Sequence, residues 1–110
     1  MAAEEVEKLA VRIRGSLPKG FATERRMFGG VVFLMNGNMF CGATKNGLLV
    51  RVGKEANEKA LTKPHARPFM ETGKPIAGYV TVDAQGIENK ASLNLWLKMA
   101  QKYVATLPAK

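Results

Sequence analysis

Two Asn-Gly dipeptides, Asn36-Gly37 and Asn46-Gly47, separate three runs rich in apolar and β-branched residues. A two-residue type I′ turn needs φ above zero at both central positions, and Asn-Gly is among the pairs that reach it at least cost. The runs Val31–Met35, Asn38–Thr44 and Leu48–Val52 are therefore expected to form a three-stranded antiparallel meander. Two-residue turns also set the register: Met35 faces Asn38, Phe33 faces Phe40 and Ala43 faces Val50. One face then carries Val32, Leu34, Met39, Cys41, Ala43, Leu48, Val50 and Val52, and the other Val31, Phe33, Phe40, Thr44, Leu49 and Arg51. Neither face is polar, so both need cover: helices on one, and other parts of the chain or a second subunit on the other.

The flanking segments supply the helices. Val6, Leu9, Ala10, Ile13 and Leu17 fall on one helical stripe from Glu4 to Gly15, with Glu4 and Glu5 in the first turn and Arg12 and Arg14 in the last. Gly15 and Pro18 stop it. Lys54 to Thr62 reads as a short helix, and Lys63 to Pro68 as an extended loop, because each proline biases its predecessor away from helix. Strands are expected near Phe69-Met70 and over Ala77 to Val82, joined through Thr72-Gly73-Lys74-Pro75. A last helix runs from about Asn89 to Thr106 on the stripe Leu93, Trp96, Leu97, Ala100, Val104 and Leu107. Leu95, Met99 and Tyr103 widen its apolar face beyond what one sheet covers, which marks them as candidate contacts of a homodimer. The order α-β-β-β-α-β-β-α, with helices mainly on one face, makes a two-layer α+β fold. At 110 residues there is material for one core, so residues 1–110 form a single domain.

The net charge of +8, from seventeen Lys and Arg against nine Asp and Glu, favours contact with polyanions. The basic residues are scattered, and Arg25-Arg26 is the densest pair. Arg25, Arg26 and Arg51 are the candidate nucleic-acid contacts, since Phe33 and Phe40 could share a sheet face with Arg51 as aromatic and arginine side chains do on RNA-binding sheets. The acidic start at Glu4-Glu5 is unlike a secretory signal, and no apolar run is long enough for a membrane span. With one cysteine, Cys41, no internal disulfide is possible, which fits a cytoplasmic protein without membrane contact.

Reactive chemistry is thin. Cys41 lies mid-strand and His65 between two prolines, and two such residues fall short of the three or four ligands zinc takes. Glu4 with Lys8 and Glu55 with Lys59 are helix-surface pairs; Glu71 and Asp83 stand near strand ends without a visible partner. Met27-Phe28-Gly29-Gly30 lacks the spacing and the Gly-Lys-Ser/Thr ending of a phosphate loop and leads into a strand, so its glycines are read as a bend or bulge, as is Gly78. No catalytic residue, cofactor or metal site is expected, and the chain is expected not to be an enzyme. The neighbourhood of Arg67, Lys74 and Tyr79 is the best pocket the sequence offers.

Met27-Phe28-Gly29-Gly30 entering a strand, then Gly37-Asn38-Met39-Phe40, then Leu48-Leu49-Val50-Arg51-Val52, resembles the N-terminal domain of the TfoX competence regulators. The similarity continues through Pro64 to Phe69, Thr72 to Pro75 and Gly78 to Val82, and ends in a Trp-containing helix, from about Leu9 to Pro108 in all. The resemblance implies the same two-layer α-β-β-β-α-β-β-α fold and a regulatory role: long members regulate natural competence as co-regulators of transcription and carry a second, C-terminal helical domain, which is not expected here. It implies no catalytic residue. The expected role is a regulatory or protein-interaction domain that self-associates as a homodimer, with a regulatory protein as a further partner, nucleic acid as the alternative and a small-molecule binder or enzyme behind both.

Overall fold

The computed structural model describes residues 3–71 and 73–110, so Thr72, expected to begin the joint between the last two strands, lies outside the described residues. The elements follow as α1 (Ala3–Ser16), β1 (Thr23–Met27), β2 (Gly30–Met35), β3 (Asn38–Thr44), β4 (Gly47–Arg51), α2 (Asn57–Leu61), β5 (Ala66–Glu71), β6 (Lys74–Val82), a 3₁₀ turn (Ala84–Ile87) and α3 (Lys90–Val104). All strands join one antiparallel six-stranded sheet in the order β1-β2-β3-β4-β6-β5. The α+β class and the expected element order hold, with one strand added at the front.

That strand, β1, is exposed along its whole length and shows no apolar alternation. It exists through its pairing with β2 and through ions: Arg14 on α1 grips Glu24 at 2.6 Å, and Arg26 reaches Glu7 at 2.6 Å. Charges on an edge strand also discourage pairing with other chains.

The first Asn-Gly turn is as expected. Asn36 and Gly37 take φ of 54° and 81°, and Met35 pairs with Asn38. The second differs. Thr44 pairs with Gly47, so Lys45-Asn46 form the tip, and Ala43 faces Leu48 instead of Val50. Of the second turn's residues only Gly47 has positive φ, 119°, and Thr44 Oγ1 both accepts from the Asn46 N–H and donates to the Gly47 carbonyl. A Cβ at Gly47 would lie 2.2 Å from the Val82 carbonyl oxygen, so the strand beside it requires glycine there.

A β-bulge corrects a second expectation. Phe33 pairs with Cys41 and Leu34 with Met39, which leaves Phe40 as the extra residue of β3. The slip lets Phe40 and Cys41 both enter the core under the helices. Val31 and Phe33 therefore share a face with Cys41, Ala43, Leu48 and Val50, while Val32, Leu34 and Leu49 lie on the other. Phe33 and Phe40 are 1% and 0% exposed, so they are core residues and do not share an open sheet face with Arg51.

The helix side is built from Val6, Leu9, Ala10 and Ile13 of α1 and Leu93, Trp96, Leu97, Ala100 and Val104 of α3, packed on that face. The second face is covered by the sheet itself. Bulges in β3 and β6 let it curl until Phe28, at the tip of the β1–β2 hairpin, meets Phe69 of β5, with ring centroids 5.4 Å apart. Val32, Leu49 and Thr81 are buried beneath that curl.

Several boundaries moved: β6 begins at Lys74 and not at Ala77, because Lys74 and Pro75, expected in the joint, pair with Glu71 and Met70. Gly53, with φ 86°, turns the chain so that α2 begins only at Asn57, whose Oδ1 accepts from the Gly78 N–H at 3.0 Å. Part of the expected loop before Phe69 is strand, because the outermost position tolerates Pro68. The C-terminal tail returns to the first hairpin: the Lys110 N–H donates to the Asn36 carbonyl and Asn38 Nδ2 to that of Pro108.

Candidate functional site

The motif Met27-Phe28-Gly29-Gly30 is a hairpin turn. Met27 pairs with Gly30, and Phe28 and Gly29 both take positive φ, 55° and 72°. A bulky side chain in the left-handed region costs backbone energy. The edge-to-face contact of Phe28 with Phe69 offsets it, and Gly30 is needed because a Cβ there would sit 1.8 Å from the Ala43 carbonyl oxygen. Gly78, with φ 92°, lies against Gly53, and its carbonyl accepts from the N–H groups of Val52 and Gly53. The motif glycines thus solve backbone problems.

Arg25, Arg26 and Arg51 lie apart. Arg26 points to the α1 side and Glu7, whereas Arg25 is exposed on the opposite side of β1, beside Val32. Arg51 is half-buried, its guanidinium carbon 5.5 Å from the Tyr79 ring centroid and 5.6 Å from that of Tyr103, with one amine donating to the Met39 carbonyl at 3.3 Å. Arg67 is held by Asp83 at 2.8 Å and by the Asn46 carbonyl at 2.9 Å, and Tyr79 packs on Phe69, so Arg67, Lys74 and Tyr79 line neither of the hollows described below.

Leu95, Met99 and Tyr103 do come together with something. Spaced by four, they run along the side of α3 that faces α2. Between the two helices lies an open groove of about 810 Å³. Its floor is apolar, from Val52, Ala56, Ala60 and Met99, with the Tyr103 ring laid over Gly53 at one end. Four lysines rim it: Lys54, Lys59 and Lys63 on the α2 side and Lys102 on α3. Glu55 is the one acid among the described residues lining it. Lys54, Lys59 and Lys102 form no ion pair among the described residues, whereas Lys63 sits 6.0 Å from the Trp96 ring centroid. A second hollow of about 260 Å³ shares Lys63 and Met99 and continues the trough past Trp96 and Leu95 to His65 and Ser92. Leu95 is 65% exposed at its edge.

Cys41 is fully buried in the core, and burial pushes its thiol well above the ordinary range, which leaves it a poor nucleophile. His65 is exposed on the loop before β5 with φ 67°. Among the described residues, no three of His, Cys, Asp and Glu gather as metal ligands would, and no helix is long and apolar enough to cross a membrane.

The model of the TfoX N-terminal domain matches residues 17–103 of this chain. The chain belongs to that family. Searches of curated proteins and of solved structures find no match. The matched span contains the whole sheet, the Met27–Gly30 hairpin, α2 and all but the last residue of α3, so the TfoX N-terminal domain is here a sheet curled on itself with a lysine-rimmed trough on its helical side. The trough escaped sequence reasoning because Lys54–Lys63 and Lys102 meet only on folding. The spacing of four shared by Lys59 and Lys63, and again by Met99 and Tyr103, was the available signal.

Proposed function

We propose that this chain is a non-enzymatic regulatory domain that acts in the cytoplasm by binding an acidic segment of a partner protein in the α2–α3 groove. One observation carries the reading: four lysines with a single acid surround an apolar floor that is left open among the described residues. Three arginines elsewhere are spent internally, in Arg14–Glu24, Arg26–Glu7 and Arg67–Asp83. Membership of the TfoX N-terminal domain family fits a regulatory domain. Among the described residues, the buried polar side chains Asn38, Thr44 and Thr81 all lie outside the groove.

The test compares the wild-type chain with the double variant K59E/K102E. A protein captured by the first, then purified and titrated, should bind directly with a dissociation constant at least about tenfold weaker for the variant. Equal binding removes the groove from the account. Nucleic acid is the competing occupant, favoured by the net charge of +8. It predicts a steep salt dependence that ignores the apolar floor, so that Met99→Ala changes nothing. Self-association through Leu95, Met99 and Tyr103 predicts instead a sedimentation coefficient that rises with concentration and falls back in Leu95→Asp.

A further inference from the structure

Taking the groove as a protein-docking site, on which this step rests, we infer that its occupant is an acidic amphipathic helix. The groove and its continuation follow one side of α3, where Ser92, Leu95, Met99 and Tyr103 succeed one another at helical spacing, and end at Thr106 just past the helix. From Ser92 to Tyr103 that side is about 16 Å long, at about 1.5 Å per residue, or roughly three turns. A trough of this length between two helices has the shape of a third helix lying beside them.

The chemistry of the rim narrows the occupant further. Lysines stand on both banks, Lys54, Lys59 and Lys63 on one and Lys102 on the other, with apolar side chains between. The matching surface is an apolar stripe with carboxylates along both edges. A helix makes one with apolar residues at i, i+3, i+4 and i+7 and Glu or Asp beside them. A strand cannot, because successive side chains point to opposite faces and its acids would turn away from the lysines. The groove is also lined by helices and loop, not by a strand, so an extended peptide would find no backbone ladder to join. The aromatic faces on which bases would stack are occupied: Tyr103 by Gly53 and Arg51, and Trp96 by Lys63.

Trp96, the only tryptophan in the chain, lines the trough and reports on it. The probe is a blocked peptide of about 15 residues, long enough for measurable helicity, with Leu on one stripe and Glu along both edges. Its controls are the same composition reordered to destroy the stripe, and oligoglutamate of equal length. The stripe peptide should change Trp96 fluorescence at low salt and bind at least about tenfold more tightly than either control. K59E/K102E, with an unchanged melting curve, should weaken it by at least about tenfold. Equal binding of the reordered peptide, equal binding by the double variant, or no binding at low salt overturns the inference. If the peptide fails while a purified protein partner still loses affinity in K59E/K102E, the helix is wrong and the groove stands. If both fail, the docking reading falls as well.

Discussion

The ring of Phe28 meets that of Phe69 edge-on, with centroids 5.4 Å apart and planes at 76°, and this contact ties the tip of the first hairpin to the last strand of the sheet. Phe28 takes part from a left-handed backbone position, φ 55°, where a bulky residue is strained. Contact and strain oppose each other at one residue, and substitution separates them. Phe28→Ala keeps most of the strain and loses the ring, and should lower stability by about 1–2 kcal/mol. Phe28→Asn loses the ring but suits the conformation, and should recover about 0.5–1 kcal/mol of that loss. Urea unfolding of the three proteins checks both steps, and an alanine variant as stable as wild type would remove the contact from the fold's support.

Two glycines should respond in opposite directions. A Cβ at Gly30 would meet the Ala43 carbonyl oxygen at 1.8 Å, and backbone cannot step aside without breaking the β2–β3 ladder. Gly30→Ala should cost more than about 3 kcal/mol or prevent folding. Gly15 lies in α1 with nothing within 4 Å of its would-be Cβ, so Gly15→Ala should stabilise by about 0.5–1 kcal/mol. Thermal melts of the two variants provide the comparison.

What could be read in the sequence depended on how local its cause was. Asn36-Gly37 announces its turn because the two φ values are set by those two residues. Asn46-Gly47 misleads by one position, because the location of that turn is decided by Thr44, whose side chain caps it, and by Val82 on a strand thirty-odd residues away that leaves no room for a Cβ. The bulge at Phe40 arises from the need to place that ring in the core, where it meets Phe21 edge-on at 6.1 Å, and no local pattern encodes it. β1 carries no periodicity of its own and is ordered by pairing and ion pairs. At the candidate site, Met99 and Tyr103 were visible as surplus apolar residues, but the lysines facing them belong to a different segment.

The Arg14–Glu24 pair gives stability a dependence on pH. The hydrogen bond from Arg14 holds the Glu24 carboxyl below the ordinary glutamate range, with burial working weakly the other way. A carboxyl depressed in the folded state contributes stability that is complete above its unfolded value, about 4.3, and fades as the pH falls through the lower folded value. Wild type should therefore exceed Glu24→Gln in urea midpoint at pH 6, by a small margin because both side chains are partly exposed, and the margin should shrink as the pH falls below the ordinary glutamate range. A margin that widens on acidification would show that the pair has the opposite linkage.

Cys41 should report global unfolding. It is 0% exposed in the middle of β3, and its thiol is held protonated by burial. A disulfide reagent needs thiolate and access, and the folded state supplies neither. Labelling should be slow in native buffer and accelerate with urea along the same curve as the loss of helical circular dichroism. Fast labelling of the native protein would mean that the sheet opens locally at β3.

Arg51 is the residue on which a structural and a recognition role most directly compete. Its guanidinium lies between the rings of Tyr79 and Tyr103 and reaches the Met39 carbonyl, which joins β4 to β6, β3 and α3 at one end of the sheet. Lysine keeps the charge but loses the flat face that lies against two rings and the fork that reaches the carbonyl. Arg51→Lys should therefore cost about 1–2 kcal/mol of stability, the size of two partly buried cation–π contacts. If the side chain is committed to the fold, the same variant, studied well below its melting temperature, should bind polyanions and the groove peptide as wild type does. A variant of full stability that has lost polyanion binding would reverse the assignment and make Arg51 a contact residue.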